Sequence, residues 1–120
     1  MKLAFPTNDD KGLESYLSDH FGRAPIYTLI QNKTNEIKII QNTGEHFGGG
    51  YSAPALLEEH GTNVLICRAL GRKAVSRFKE AGIEIFITDK LIVKDALEAY
   101  NKRELKTASE EEACAGQHKH

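Results

Sequence analysis

The stretch Ile26-Tyr27-Thr28-Leu29-Ile30-Gln31-Asn32-Lys33-Thr34-Asn35-Glu36-Ile37-Lys38-Ile39-Ile40-Gln41 decides the fold. Its first five residues alternate, with Ile26, Thr28 and Ile30 on one face of an extended chain and Tyr27 and Leu29 on the other. Asn32-Lys33-Thr34-Asn35 is a polar turn, since asparagine side chains bond nearby backbone and tolerate left-handed angles. The strand resumes over residues 36–41, with Ile37 and Ile39 facing one way and Lys38 and Ile40 the other. Two such runs joined by a short polar connection form an antiparallel hairpin.

Upstream, residues 2–5 read as a first strand that Pro6 helps to end. Residues 8–12 read as a turn, and residues 13–24 as a long connection without a sustained period. Downstream, residues 42–50 are a glycine-rich loop, and residues 52–60 a helix with Ala53, Leu56, Leu57 and His60 at helical spacing and Gly61 behind it. Val64-Leu65-Ile66-Cys67 is a buried parallel strand. Residues 72–81 form a second helix, with Val75 and Phe78 inward and Gly82 as terminator. Residues 83–87 are a fifth strand, and residues 93–100 a third helix. The hairpin makes the second strand antiparallel to its neighbours, and right-handed crossovers make the others parallel. The expected fold is α/β, a three-layer α/β/α arrangement like ribonuclease H. Its five-stranded mixed sheet has the order 3-2-1-4-5, with strand two antiparallel. Residues 1–100 form one domain, and the polar residues 101–120 are expected to be a flexible tail.

This topology sends the loops at 7–24, 42–52 and 67–72 to one sheet edge, where open α/β sheets bind ligands. Two sequences there stand out: Asp19-His20-Phe21-Gly22-Arg23-Ala24-Pro25 and His46-Phe47-Gly48-Gly49-Gly50. Gly48, Gly49 and Gly50 can turn amides toward a ligand, Arg23 supplies a fork of donors, and His20 and His46 supply imidazoles. That set suits an anion that contains a metal. The same residues are also compatible with a tight turn, an arginine on backbone carbonyls and solvated histidines. Cys67, ahead of a helix, is a candidate soft-metal ligand with a lowered pKa, or else a small buried hydrophobe. Cys114, His118 and His120 offer a partial metal site in the tail, against the alternative of an unstructured terminus.

The bulk properties narrow the field. The chain has 120 residues, a net charge of -1, 40% apolar residues and two cysteines. Neither nucleic acid nor membrane is an expected partner, a structural disulfide is not expected, and the simplest location is the cytoplasm. Two-metal nuclease chemistry needs clustered carboxylates, normally with one on the first strand, and Lys2-Leu3-Ala4-Phe5 has none.

The run His20-Phe21-Gly22-Arg23-Ala24-Pro25, then His46-Phe47-Gly48-Gly49-Gly50, then Ala81-Gly82-Ile83-Glu84-Ile85-Phe86 resembles the dinitrogenase iron–molybdenum cofactor biosynthesis family. This is the NifX/NafY-like group, similar also to the C-terminal part of NifB. The resemblance spans roughly residues 1–100. It implies a ribonuclease H-like fold and a protein that binds, carries or stores an iron–sulfur or molybdenum-containing metal–sulfur cluster without catalysing a reaction. It implies contacts from His20, Phe21, Gly22 and Arg23, with the loop of Gly48, Gly49 and Gly50 facing them. The implied partners are the cluster and a donor or acceptor protein for it. The loop Cys67-Arg68-Ala69-Leu70-Gly71 departs from the glycine-rich family pattern. A regulatory or interaction module holding a small anion or an acidic partner, without metal, is the alternative.

Overall fold

The structure, a computed structural model, describes residues 1–19, 24–41 and 53–107, with only the backbone of Ala53. In chain order the elements are β1 (Lys2–Thr7), a short 3-10 turn (Gly12–Glu14), β2 (Ile26–Gln31), β3 (Glu36–Gln41), α1 (Ala53–Glu59), β4 (Val64–Cys67), α2 (Arg72–Glu80), β5 (Glu84–Ile87), α3 (Val93–Asn101) and β6 (Lys106–Thr107). The strands form one sheet in the order β3-β2-β1-β4-β5-β6.

The hairpin forms as its alternation requires. Gln31 pairs with Glu36 across the Asn32–Asn35 turn, and Ile26 pairs with Gln41 at the far end. Asn35 takes the left-handed angle, with φ of 63°, that lets the chain reverse. On the other side, β2 runs antiparallel to β1 from Lys2↔Gln31 to Thr7↔Ile26. β4 is parallel to both β1 and β5.

Side-chain alternation divides the core into two layers. Ala4, Tyr27, Leu29, Ile40, Leu65 and Ile85 meet Leu56 and Leu57 of α1 and Val75 and Phe78 of α2. Leu3, Phe5, Ile30, Val64 and Ile66 point the other way, onto Leu17 and onto Val93 and Ala96 of α3. All four residues of β4 are buried, which is why that strand reads as an unbroken apolar run.

Helix α2 stops through a defined motif. Gly82, with φ of 79°, donates to the Lys79 carbonyl at 3.0 Å, and Ile83 donates to that of Phe78 at 2.9 Å. Helix α3 ends in the same way with Arg103 in the left-handed position, φ 61°, and Glu104 donating to Ala99 at 2.9 Å.

Two expectations are corrected. Among the described residues the sheet has six strands, not five: Thr107 and Lys106 pair antiparallel with Phe86 and Ile87, so residues expected in a free tail extend the sheet. The Arg103 reversal turns the chain back along β5, and the half-buried Leu105 fixes it against the α3 layer. The first strand also continues through Pro6 to Thr7. The missing proline N–H costs nothing there, because the pairing with β4 involves only Leu3 and Ala4, and the Pro6 carbonyl accepts from Ser18 at 2.9 Å.

Candidate functional site

The strand directions bring one set of ends together. β1, β3, β4 and β5 finish at the same edge, at Thr7, Gln41, Cys67 and Ile87, and β2 begins there at Ile26. The segments 8–25, 42–52, 68–71 and 88–92 therefore leave from this edge. The expected convergence of loops is present at the level of the strand ends.

The segment after β1 is held down along most of its length. The Asp9 carboxylate accepts from the Lys11 amide at 3.3 Å and the Tyr16 amide at 3.4 Å, and the Ser15 hydroxyl donates to the Asp9 carbonyl at 3.1 Å. Burial opposes ionisation of Asp9, but the Ser15 hydroxyl, these two amides and the Lys11 charge outweigh it and hold the group below the ordinary aspartate value. Residues 15–18 then lie extended between two neighbours. Ser18 donates to Pro6 at 2.9 Å, Leu17 to Leu91 at 2.8 Å, and Val93 to Ser15 at 3.0 Å. Leu17 is buried and anchors the strip in the α3 layer. Asp9 serves the turn with its carboxylate.

The strip ends at Asp19, whose carboxylate forms an ion pair with Nη1 of Arg68, the residue that follows β4. The pair joins the first loop of the edge to the third. Arg68 keeps 30% of its side-chain exposure and Asp19 68%. The Nε–H of Arg68 is buried and has no hydrogen-bond partner among the described residues. A buried donor left unpaired is costly, so a guanidinium held this way favours an acceptor that reaches it. Four further basic residues, Arg72, Lys73, Arg77 and Lys79, follow Arg68 closely in the sequence. Those four stand exposed on α2, while Arg68 is set apart at the strand end. The signal available in the sequence was its position, the first residue after a fully apolar strand.

The expected site residues divide sharply. His20, Phe21, Gly22 and Arg23 lie outside the described residues, as do His46, Gly48, Gly49 and Gly50, and Cys114, His118 and His120. The residues bordering the first group are placed at the edge: Asp19 in the ion pair and Ala24 buried at 1% exposure. Cys67 is described, and its expected lowered pKa is corrected. The thiol is 1% exposed within the α1–α2 core layer, and burial pushes it up to about 12. In that setting it packs as a small hydrophobe, because nothing charged is near enough to favour a thiolate over the cost of desolvation. Among the described residues, no three His, Cys, Asp or Glu side chains gather closely enough to hold a metal ion. No helix among them is long and apolar enough to cross a membrane.

Comparison with known proteins gives a consistent neighbourhood. The sequence model of a family described as dinitrogenase iron-molybdenum cofactor matches residues 1–103. An uncharacterized protein of Methanocaldococcus jannaschii is 30% identical over 105 residues, covering 83% of this chain and 85% of its own length. The apo form of the orange protein from Desulfovibrio gigas superposes with a TM-score of 0.81 at 23% identity, over 89% of this chain and 92% of that one. A Thermotoga protein provisionally named NifB, solved by NMR, superposes with a TM-score of 0.76 at 26% identity, over 88% of this chain and 91% of that one.

Proposed function

We propose a function from one premise: this chain belongs to the dinitrogenase iron-molybdenum cofactor family. Family and neighbours give it a cofactor-related accessory role. Within that role our reading is that the protein binds, carries or stores an iron–sulfur or molybdenum-containing metal–sulfur cluster as cargo, without transforming it.

The observation that carries this reading is the edge itself. Four strand ends and the start of a fifth converge there, and a guanidinium whose buried Nε–H has no partner among the described residues follows one of those ends, paired with Asp19. A metal–sulfur cluster is an anion whose sulfides accept hydrogen bonds on many sides. Imidazole, guanidinium and glycine-amide donors can meet those sulfides. The proposed contacts are His20, Phe21, Gly22 and Arg23 with the facing loop of His46, Gly48, Gly49 and Gly50. Cys67 is not needed, since its thiol already has a place in the core. A cluster donor or acceptor protein is the natural partner of such a carrier.

Anaerobic reconstitution with iron, sulfide and molybdate, followed by gel filtration and a visible spectrum, tests the assignment of the loops. His20→Ala and Arg23→Ala are expected to retain less than half of the wild-type absorbance per chain with unchanged far-ultraviolet circular dichroism. Equal retention by both variants contradicts the assignment. A colourless wild type that still binds sulfate or a dicarboxylate moves the edge to the alternative, a small-anion module without metal.

A further inference from the structure

We infer that Arg68 is a cargo-binding residue of this edge and that Asp19 is its displaceable counter-ion, a built-in competitor which an incoming metal–sulfur anion must replace. The inference rests on the cluster-carrier reading and deepens it.

Three observations combine. The ion pair joins residues 49 positions apart, across two loops that leave different strands, so it exists only because the sheet brings those ends together. It engages one nitrogen of a planar fork that offers five donors, and the Nε–H beside it is buried with no partner among the described residues. The two groups are unequally held. Arg68 follows a fully buried strand, and the neighbouring loop is fixed to that strand end by Thr88 donating to the Cys67 carbonyl at 2.9 Å. Asp19 is the more exposed partner, at the end of a loop strip.

A single carboxylate satisfies such a fork incompletely. A dianion with several sulfur or oxygen acceptors carries more charge and can take the Nε–H and Nη2–H edge as a bidentate pair, which a carboxylate on Nη1 does not, so it draws the guanidinium away from Asp19. Water solvates the released Asp19 carboxylate at little cost because that side chain is already mostly exposed. No covalent step is required.

The signs of the two single substitutions are opposite, which separates this role from a merely structural one. Binding of tetrathiomolybdate to the full chain, measured by anaerobic equilibrium dialysis at fixed salt, reads it out, with thermal melts to confirm folding. Arg68→Gln is expected to weaken binding on the order of tenfold. Asp19→Asn is expected to tighten it by about threefold to tenfold, because the competitor is gone. The double variant should match Arg68→Gln alone, since Asp19 acts only through Arg68. Arg68→Lys keeps the charge without the fork and should fall between. Wild-type affinity in Arg68→Gln, or weakened binding in Asp19→Asn, overturns the inference while leaving the carrier reading in place. A wild type that binds neither tetrathiomolybdate nor a reconstituted cluster overturns both.

Discussion

Cys67 shows how one residue's neighbours decide its chemistry. A cysteine at a strand end ahead of a helix has the sequence context of a reactive thiol, yet here it is sealed under α1 and α2. Its thiol is raised from 9.0 to about 12, so at pH 8 it stays protonated and inaccessible. Iodoacetamide at pH 8 should therefore modify Cys67 only after denaturation, as peptide mapping will distinguish from any modification at Cys114; rapid labelling of Cys67 in the native protein would contradict the placement. The same shift has a consequence for stability. In the unfolded chain the thiol ionises from its ordinary value upward, whereas the folded protein holds the proton, so this contribution is complete below pH 9 and is lost as pH rises toward 12. Arg68 is the complementary case. Its sequence neighbourhood is basic, with Arg72, Lys73, Arg77 and Lys79 close behind, and only the fold sets it apart by giving it Asp19 and burying its Nε.

At the scale of elements, the strongest local signals were the periodic ones. The alternation of residues 26–41 specified the hairpin and its faces, and Tyr27 and Leu29 do share a face with Ile40. Gly61 and Gly82 marked the ends of α1 and α2 at the positions where φ is positive. The third helix lacked that mark, because Arg103 occupies the left-handed position instead of glycine. Sixth-strand pairing was illegible for a related reason. Lys106–Thr107 is two exposed polar residues, too short to show a period, and its placement depends on the Arg103 reversal and on Leu105 reaching the α3 layer. The reversal itself is testable. Placing an L-residue in the left-handed region costs roughly 1–2 kcal/mol, partly offset by the chain entropy glycine adds to the unfolded state. Arg103→Gly should stabilise the protein by about 0.5–1 kcal/mol in urea unfolding, and Gly82→Ala should destabilise it by about 1 kcal/mol, since open space around Gly82 leaves backbone strain as the sole cost. A loss of stability in Arg103→Gly would show that the arginine side chain, not the backbone angle, matters there.

Across the whole molecule, the sheet separates the apolar core from the loops proposed to hold cargo. Its two apolar layers lie above and below the strands, and the loops that carry the unusual residues leave from one end. That much followed from the hairpin and the two crossovers, because strand direction alone fixes which loops share an edge. The ion pair across that edge did not follow, since a contact between residues 49 positions apart has no local signature. The family match ends at residue 103, so removing residues 108–120 should leave cargo loading and urea stability within experimental error of the full chain, as reconstitution and unfolding of the truncated protein will show. Loading that drops with the tail would bring Cys114, His118 and His120 into the site.

The most direct test of the central claim is the metal and acid-labile sulfide content of the full chain after anaerobic reconstitution with iron, sulfide and molybdate and removal of unbound material. The account predicts a reproducible stoichiometric complement of metal and sulfide on each chain, lost when the loop residues His20 and Arg23 are replaced. A protein that emerges folded, colourless and free of both metal and sulfide would contradict it.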